Sequence, residues 1–215
     1  MKYYHEHFKN RNINEYTIDG TINSQCWEQS SPKILFVLKE NYGYQGCGIV
    51  NTKDLAHGWL DAHIKTYKKI ILLSSFIFAS HNLNRVLNSE ETNSISNDFD
   101  LLHSTLDKIS VINIKKHSGA SRSKDNQIRK ESGLNKDILK LQINNLKPDI
   151  IIAGSTVCWN SLIFDLNIFP SNISCEKNCA IKHKQTILCH TNHPSAWTGG
   201  GFDPYLLHQK IYELI

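Results

Sequence analysis

The sequence predicts an α/β protein: a three-layer α/β/α sandwich around a central four-stranded, mostly parallel sheet. Two observations carry this expectation. Four short runs are rich in Ile, Val and Leu without polar alternation, as strands covered on both faces read. Between them lie stretches with apolar residues at helical spacing. Strands alternating with helices imply a parallel sheet held between helical layers.

The four runs are 33–38 (KILFVL), 109–114 (ISVINI), 149–153 (DIIIA) and 186–190 (TILCH). Helical spacing covers 55–67, 99–108, 134–146 and 156–166. The apolar stretch 70–79 fits a buried helix or strand. It contains two serines and is too short to span a bilayer. The polar segment 82–97 reads as a loop. Residues 1–31 read as an extension that packs on a single domain taking in the whole chain. No internal repeat or low-complexity tract is evident.

A chain of 215 residues can bury a full core. Its formal net charge of +4, with eleven histidines, permits a polyanionic partner without requiring one. No dinucleotide fingerprint and no Walker loop occurs, which argues against cofactor-dependent and ATP-driven chemistry. The opening MKYYHEHFKN is polar where a secretory leader carries an apolar core, so a cytoplasmic protein is expected. The six cysteines, 26, 47, 158, 175, 179 and 189, would then be mostly reduced. Cys175-x3-Cys179-x3-His183, with Cys189 and His190 downstream, departs from the C-x2-C pair common in structural zinc sites. No metal and no organic cofactor are expected.

Ligands of doubly wound folds bind at the carboxyl ends of the strands. Those ends read KENYGYQGCG, NIKKHSGASRS, GSTVCWN and TNHPSAW. All four carry polar, glycine-bearing or basic residues, and one convergent site explains them together. Lys115, Lys116, His117, Arg122 and Lys124 surround a small-residue stretch, the pattern a phosphate backbone requires, although a solvated loop reads similarly. Ser155 and Thr156 are cap candidates for a helix start that would offer an anion site. The last loop sets the rigid His193-Pro194 beside Trp197 and three glycines, as though presenting a histidine and a wedge to something large.

These motifs resemble the uracil-DNA glycosylase superfamily, from about Lys33 to the end. PKILFVLKENYG is similar to the first motif, where a strand delivers G-Q-D-P-Y, G-x-N-P-G or G-E-A-P-G. ISVINIKKHSGASRS and ILKLQINNLKPDIIIAGSTVCWNSL resemble blocks of the thermophilic iron–sulfur branch, N-x-x-K-C-R-P-P-x-N-R and L-x-x-Q-x-x-x-x-x-P-x-x-I-x-x-x-G. NHPSAW resembles the second motif, H-P-S-P-L-S. The resemblance implies a monofunctional DNA N-glycosylase that flips a uracil or modified pyrimidine out of DNA and hydrolyses its glycosidic bond. It gives His193 the role of stabilising the departing base anion, and Asn113 that of reading the base edge. Glu40 or Asn41 would position the attacking water and stabilise an oxocarbenium-like transition state. Tyr42 or Tyr44 would stack on the base. Lys115, Lys116, Arg122, Ser155 and Ser195 would hold the DNA backbone, and Trp197 would fill the gap left by the flipped nucleotide. The implied partner is DNA, bound by a monomer.

Lys39 stands where the first motif has its leading glycine, and Tyr42 where it has proline. His117-Ser118-Gly119 replaces C-R-P-P, and Cys26 stands alone where the iron–sulfur branch has a close cysteine pair, so no cluster is expected. A changed pocket could take a larger or modified base, including one from viral DNA in antiphage defence. The alternative is a non-catalytic nucleic-acid-binding module of the same fold. Singly, each residue also has a plain structural reading. Asn113 could cap a strand end, Glu40 could pair with a nearby lysine on the surface, and Trp197 could pack on Phe202 or Tyr205.

Overall fold

The computed structural model describes residues 2–40, 49–61, 65–117, 124–194 and 204–215. Asn41, Tyr42, Tyr44, Arg122, Ser195 and Trp197 lie outside the described residues. The chain begins with α1 (Lys2–Lys9), β1 (Tyr16–Ile18), β2 (Gly20–Thr21) and α2 (Ser24–Gln29). Next come β3 (Ile34–Leu38), β4 (Ile49–Asn51), α3 (Thr52–Asp61), α4 (Lys65–Leu83), α5 (Ser89–Asn97) and α6 (Phe99–Asp107). There follow β5 (Ser110–Asn113), α7 (Asp125–Leu134), α8 (Lys136–Leu146), β6 (Ile150–Ala153) and α9 (Thr156–Asn160), the last continued by a π-helical turn over Ser161–Asp165. The hairpin β7 (Cys179–His183) and β8 (Thr186–His190) precedes α10 (Pro204–Tyr212).

The protein is α/β, with a mixed sheet and helices on both sides. The main sheet has six strands in the order β2-β5-β3-β6-β8-β7, not four. β3 pairs parallel with β5 and β6, and β6 pairs parallel with β8. The two edge strands, β2 and β7, run antiparallel to their neighbours. Both escape a search for apolar runs. β2 is two residues long, and β7 reads CAIKH, a half-exposed edge strand without a continuous apolar stretch. The N-terminal segment therefore contributes a strand to the sheet as well as packing on it. A separate short parallel pair joins β1 to β4.

β3 shows why the central runs are apolar throughout. Ile34, Phe36 and Leu38 face a core built with Ile70, Ile71 and Ile77 of α4, Leu106 of α6 and Leu207 of α10. Leu35 and Val37 face a second core with Ile138 and Leu139 of α8, Val157 and Trp159 of α9, and Phe8. Successive side chains leave a strand on opposite faces, so burial on both sides removes any polar alternation.

The helical expectations need two corrections, over 55–67 and 82–97, and the open choice over 70–79 is resolved. The pattern over 55–67 spans parts of α3 and α4, and the apolar stretch 70–79 is helical, inside α4. The polar segment 82–97 holds α5 rather than only a loop. Asn88 accepts from the Glu91 backbone N–H, and Glu91 accepts from the Asn88 N–H. This reciprocal capping starts a helix with no buried residue, so a reading based on apolar spacing passes over it. α7 is likewise mostly polar. Among the described residues, no helix is long and apolar enough to cross a membrane.

Candidate active site

The site is assembled by backbone pairing that continues past the strands. Beyond β3 and β5, the Ile114 N–H donates to the Leu38 carbonyl and the Lys115 N–H to the Lys39 carbonyl, both at 2.9 Å. Glu40 is thereby brought beside Lys115. The Lys115 ammonium donates to Glu40 Oε2 at 2.7 Å, and both side chains are nearly enclosed. The pairing that the plain reading allowed for Glu40 is therefore present, but in the interior rather than on the surface.

The β8 end is carried to the same place. The Thr191 N–H and hydroxyl both donate to the Ala153 carbonyl, at 3.0 and 3.1 Å. Gly154 donates its N–H to the Val37 carbonyl at 2.9 Å. A Cβ on Gly154 would lie 2.7 Å from Leu38 Cδ2 and 3.2 Å from Pro194 Cδ. The absence of a side chain there lets the His193-Pro194 turn close over the sheet. His193 lies within electrostatic reach of Lys39 and Glu40. Burial pushes its imidazole down to about 4; the Lys39 charge adds to that shift and Glu40 opposes it. His193 is therefore a neutral imidazole at ordinary pH, able to donate one N–H and accept at the other nitrogen.

A second cluster underlies this one. Asp19, between β1 and β2, accepts at Oδ2 from the Asn113 N–H at 2.7 Å and from Asn113 Nδ2 at 3.1 Å. Its Oδ1 accepts from Lys116 Nζ at 2.7 Å and Gln142 Nε2 at 2.9 Å. Gln142 Oε1 also accepts from Lys116 Nζ at 2.7 Å. Asn113 and Lys116 are fully buried. Burial pushes the Lys116 ammonium below its ordinary value, and the Asp19 charge and hydrogen bond oppose this. Lys116 is thus enclosed in the interior, not a surface contact for phosphate, and Lys115 is nearly as enclosed. Asp19 and Gln142 were not marked by the sequence reading. Asp19 stands in a short polar stretch between two minimal strands, and the only signal for Gln142 was the glutamine of the resembled helix block.

Ser155 caps α9. Its hydroxyl accepts from the Cys158 N–H at 3.2 Å and donates to Cys158 Sγ at 3.0 Å. The hydroxyl is thus engaged within the protein, and α9 is a single short turn. Beside the site, His117 Nε2 lies 3.3 Å from Glu131 Oε1. Burial pushes the Glu131 carboxyl up. The His117 hydrogen bond and the charges of His117, Arg11 and Lys115 outweigh it and leave the group below its ordinary value.

Glu40, Asn113, Lys115, Lys116, Ser155 and His193 are therefore gathered at the carboxyl ends of β3, β5, β6 and β8. Among the described residues, no group of three or more His, Cys, Asp or Glu side chains is arranged to hold a metal ion. Of the residues weighed as a zinc set, His183 packs edge-on against Phe169 and His190 stacks on Trp159. A hollow of about 400 Å3, lined by Phe169, Pro170, His183 and Lys184 among others, lies at the opposite, amino end of β8. No protein-family model matches the chain, and no curated protein matches its sequence.

Proposed function

We propose that this protein is a monofunctional DNA N-glycosylase, acting as a monomer on uracil or a modified pyrimidine in DNA, with a fold like that of uracil-DNA glycosylases. The observation that carries the reading is the placement of Glu40 within electrostatic reach of a neutral, half-buried His193 at the carboxyl ends of the central strands. Cleavage of an N-glycosidic bond places positive charge on the sugar and negative charge on the departing base. A carboxylate beside the sugar answers the first. An uncharged N–H donor at the base answers the second without presenting a competing cation.

In this reading Glu40, or Asn41, orients a water toward the anomeric carbon. The water oxygen bonds to that carbon as the C–N bond breaks. The bonding pair leaves with the base, which His193 stabilises through a hydrogen bond to O2. The carboxylate takes the water proton, and the products are a free base and an abasic site. Lys115 holds the Glu40 carboxylate in place. Asp19 fixes the amide of Asn113, the residue proposed to read the base edge. The role of phosphate contact falls to Arg122 and Ser195, which follow β5 and β8 in the sequence, since Lys116 is enclosed.

One observation favours a second reading, a non-catalytic nucleic-acid-binding module: Glu40 is already engaged by Lys115. A base-release assay by mass spectrometry separates the two. The substrates are uracil-containing DNA, ordinary bacterial DNA and viral DNAs with hypermodified pyrimidines, with a Glu40→Ala/Asn41→Ala control. Release of uracil points to repair, and release of a modified base alone points to antiphage defence. DNA binding without release from any substrate supports the binding module.

A further inference from the structure

One lysine–carboxylate pair at the strand ends is not used by the proposed chemistry. Lys39 follows β3 directly, and its carbonyl accepts from the Lys115 N–H at 2.9 Å, which fixes its backbone at the rim of the sheet. Its ammonium donates to Oδ1 of Asp125, in the first turn of α7, at 2.8 Å. The Lys39 side chain is 21% exposed and Asp125 60%, unlike the enclosed Lys115–Glu40 and Lys116–Asp19 pairs. The Lys39 charge reaches His193, and the charges of Lys39 and Asp125 both reach Cys158 of α9. The pair therefore stands where β3, α7, α9 and the His193 turn converge.

Exposure decides which of these lysines is open to an anion. Lys115 and Lys116 are held by interior carboxylates. A lysine–carboxylate pair in contact with solvent contributes little and is screened by salt, so it opens at small cost. Asp125 keeps a favourable place once Lys39 has left it, because a carboxylate in the first turn faces the positive end of the helix dipole. Lys124, exposed and next to Asp125 in the chain, makes no capping hydrogen bond and adds positive charge to the same corner. We propose that Lys39 is a further phosphate contact for DNA, and that Asp125 holds its ammonium until a backbone phosphate takes the carboxylate's place. Carboxylate and phosphate oxygens accept the same charge-assisted hydrogen bond from an ammonium. The exchange therefore needs only rotation of the flexible lysine stem. The inference rests on the reading of the strand ends as a DNA-binding face, and it requires no cleavage.

The test is fluorescence-anisotropy titration of the full-length protein with a labelled DNA duplex carrying a central tetrahydrofuran, an uncleavable abasic analogue. Lys39→Gln should weaken binding about threefold to tenfold and reduce the slope of log affinity against log salt by about 1. Asp125→Asn should tighten binding about twofold to fivefold, because the competing carboxylate is gone. The decisive comparison is the double variant. With no ammonium to release, Asp125→Asn should add little in the Lys39→Gln background. An equal gain in both backgrounds would reduce Asp125 to general repulsion and overturn the exchange. An unchanged salt slope in Lys39→Gln, or no binding by the unmodified protein, would overturn the contact itself. Should a variant fail to fold, acetylation of the unmodified protein by a lysine-reactive ester decides the matter. DNA should protect Lys39 and leave the exposed Lys184, at the opposite end of β8, reactive. Equal reactivity of Lys39 with and without DNA overturns the contact. Lys39-dependent binding without base release from any substrate would end the glycosylase reading and leave this contact standing. Base release with an inert Lys39 does the reverse.

Discussion

Two carboxylate–lysine pairs stand side by side at the end of β5, formed by consecutive lysines. Lys116 pairs with Asp19 and Lys115 with Glu40, each at 2.7 Å. Successive side chains leave an extended chain on opposite sides, so neighbours in sequence enter different environments. Lys116 is sealed among Asp19, Gln142 and the Asn113 that Asp19 also binds. Lys115 points toward the carboxyl-end rim of the sheet, where its enclosed partner Glu40 lies within electrostatic reach of His193. The first pair has amide partners. The second has an imidazole that burial keeps neutral. The same chemical pair is thus a structural fastening in one place and part of a candidate reaction centre in the other.

The largest expected effect breaks the sealed pair. Asp19→Ala leaves Lys116 as a buried cation without its counter-charge, and stability should fall by about 3–5 kcal/mol. Urea denaturation with matched slopes measures this. A loss under about 1 kcal/mol would show that Lys116 escapes to solvent or gives up its proton easily, and the contrast between the pairs would fail.

At the rim the effect should fall on rate. His193→Ala is expected to raise the barrier by about 2–4 kcal/mol in single-turnover base release, with a much smaller change in unfolding midpoint. The reverse pattern, large destabilisation with unaltered turnover, would make His193 a packing residue and move the rim cluster into the same class as the sealed one.

The depressed His193 value sharpens this further through pH. The group is neutral when folded down to about 4, whereas an unfolded histidine takes up its proton near its ordinary value of about 6.5. Below that ordinary value the unfolded chain binds the extra proton, so this contribution is complete above about 6.5. It is lost as pH falls toward 4. The acid limb of base release should likewise lie near 4. An NMR titration of the His193 ring assigns it, and a midpoint near 6.5 would remove the half-buried, neutral donor from the argument.

The contrast between the lysines also marks how far the sequence can be read. β3, β5, β6 and β8 were legible because burial on both faces erases polar alternation, and the positions of Glu40 and His193 followed from those strand ends. The partners were not legible. Asp19 lies 94 residues from Asn113 and reaches it only because two-residue β2 pairs with β5. Lys115 and Lys116 read as contacts for a phosphate backbone, and no local pattern records that each has an acidic partner some 75 to 97 residues away. α5 hid for the opposite reason: its stabilisation is a cap rather than an apolar face.

Ser155 gives the smallest effect and the finest distinction. It stands at a strand end, where the reactive groups gather, but its hydroxyl is engaged in the manner of the sealed network, with Cys158 on both its accepting and its donating side. If capping is its whole task, Ser155→Ala should cost about 1 kcal/mol of stability. DNA affinity and its dependence on salt should then be unchanged, because no phosphate contact has been lost. If the hydroxyl turns outward when DNA binds, affinity falls while the helix, already short, loses its cap in the bound state as well. Fluorescence-anisotropy titrations at several salt concentrations, beside thermal unfolding, separate these outcomes. The geometry of the cap predicts the first, since turning the hydroxyl outward would leave the Cys158 N–H buried without its acceptor.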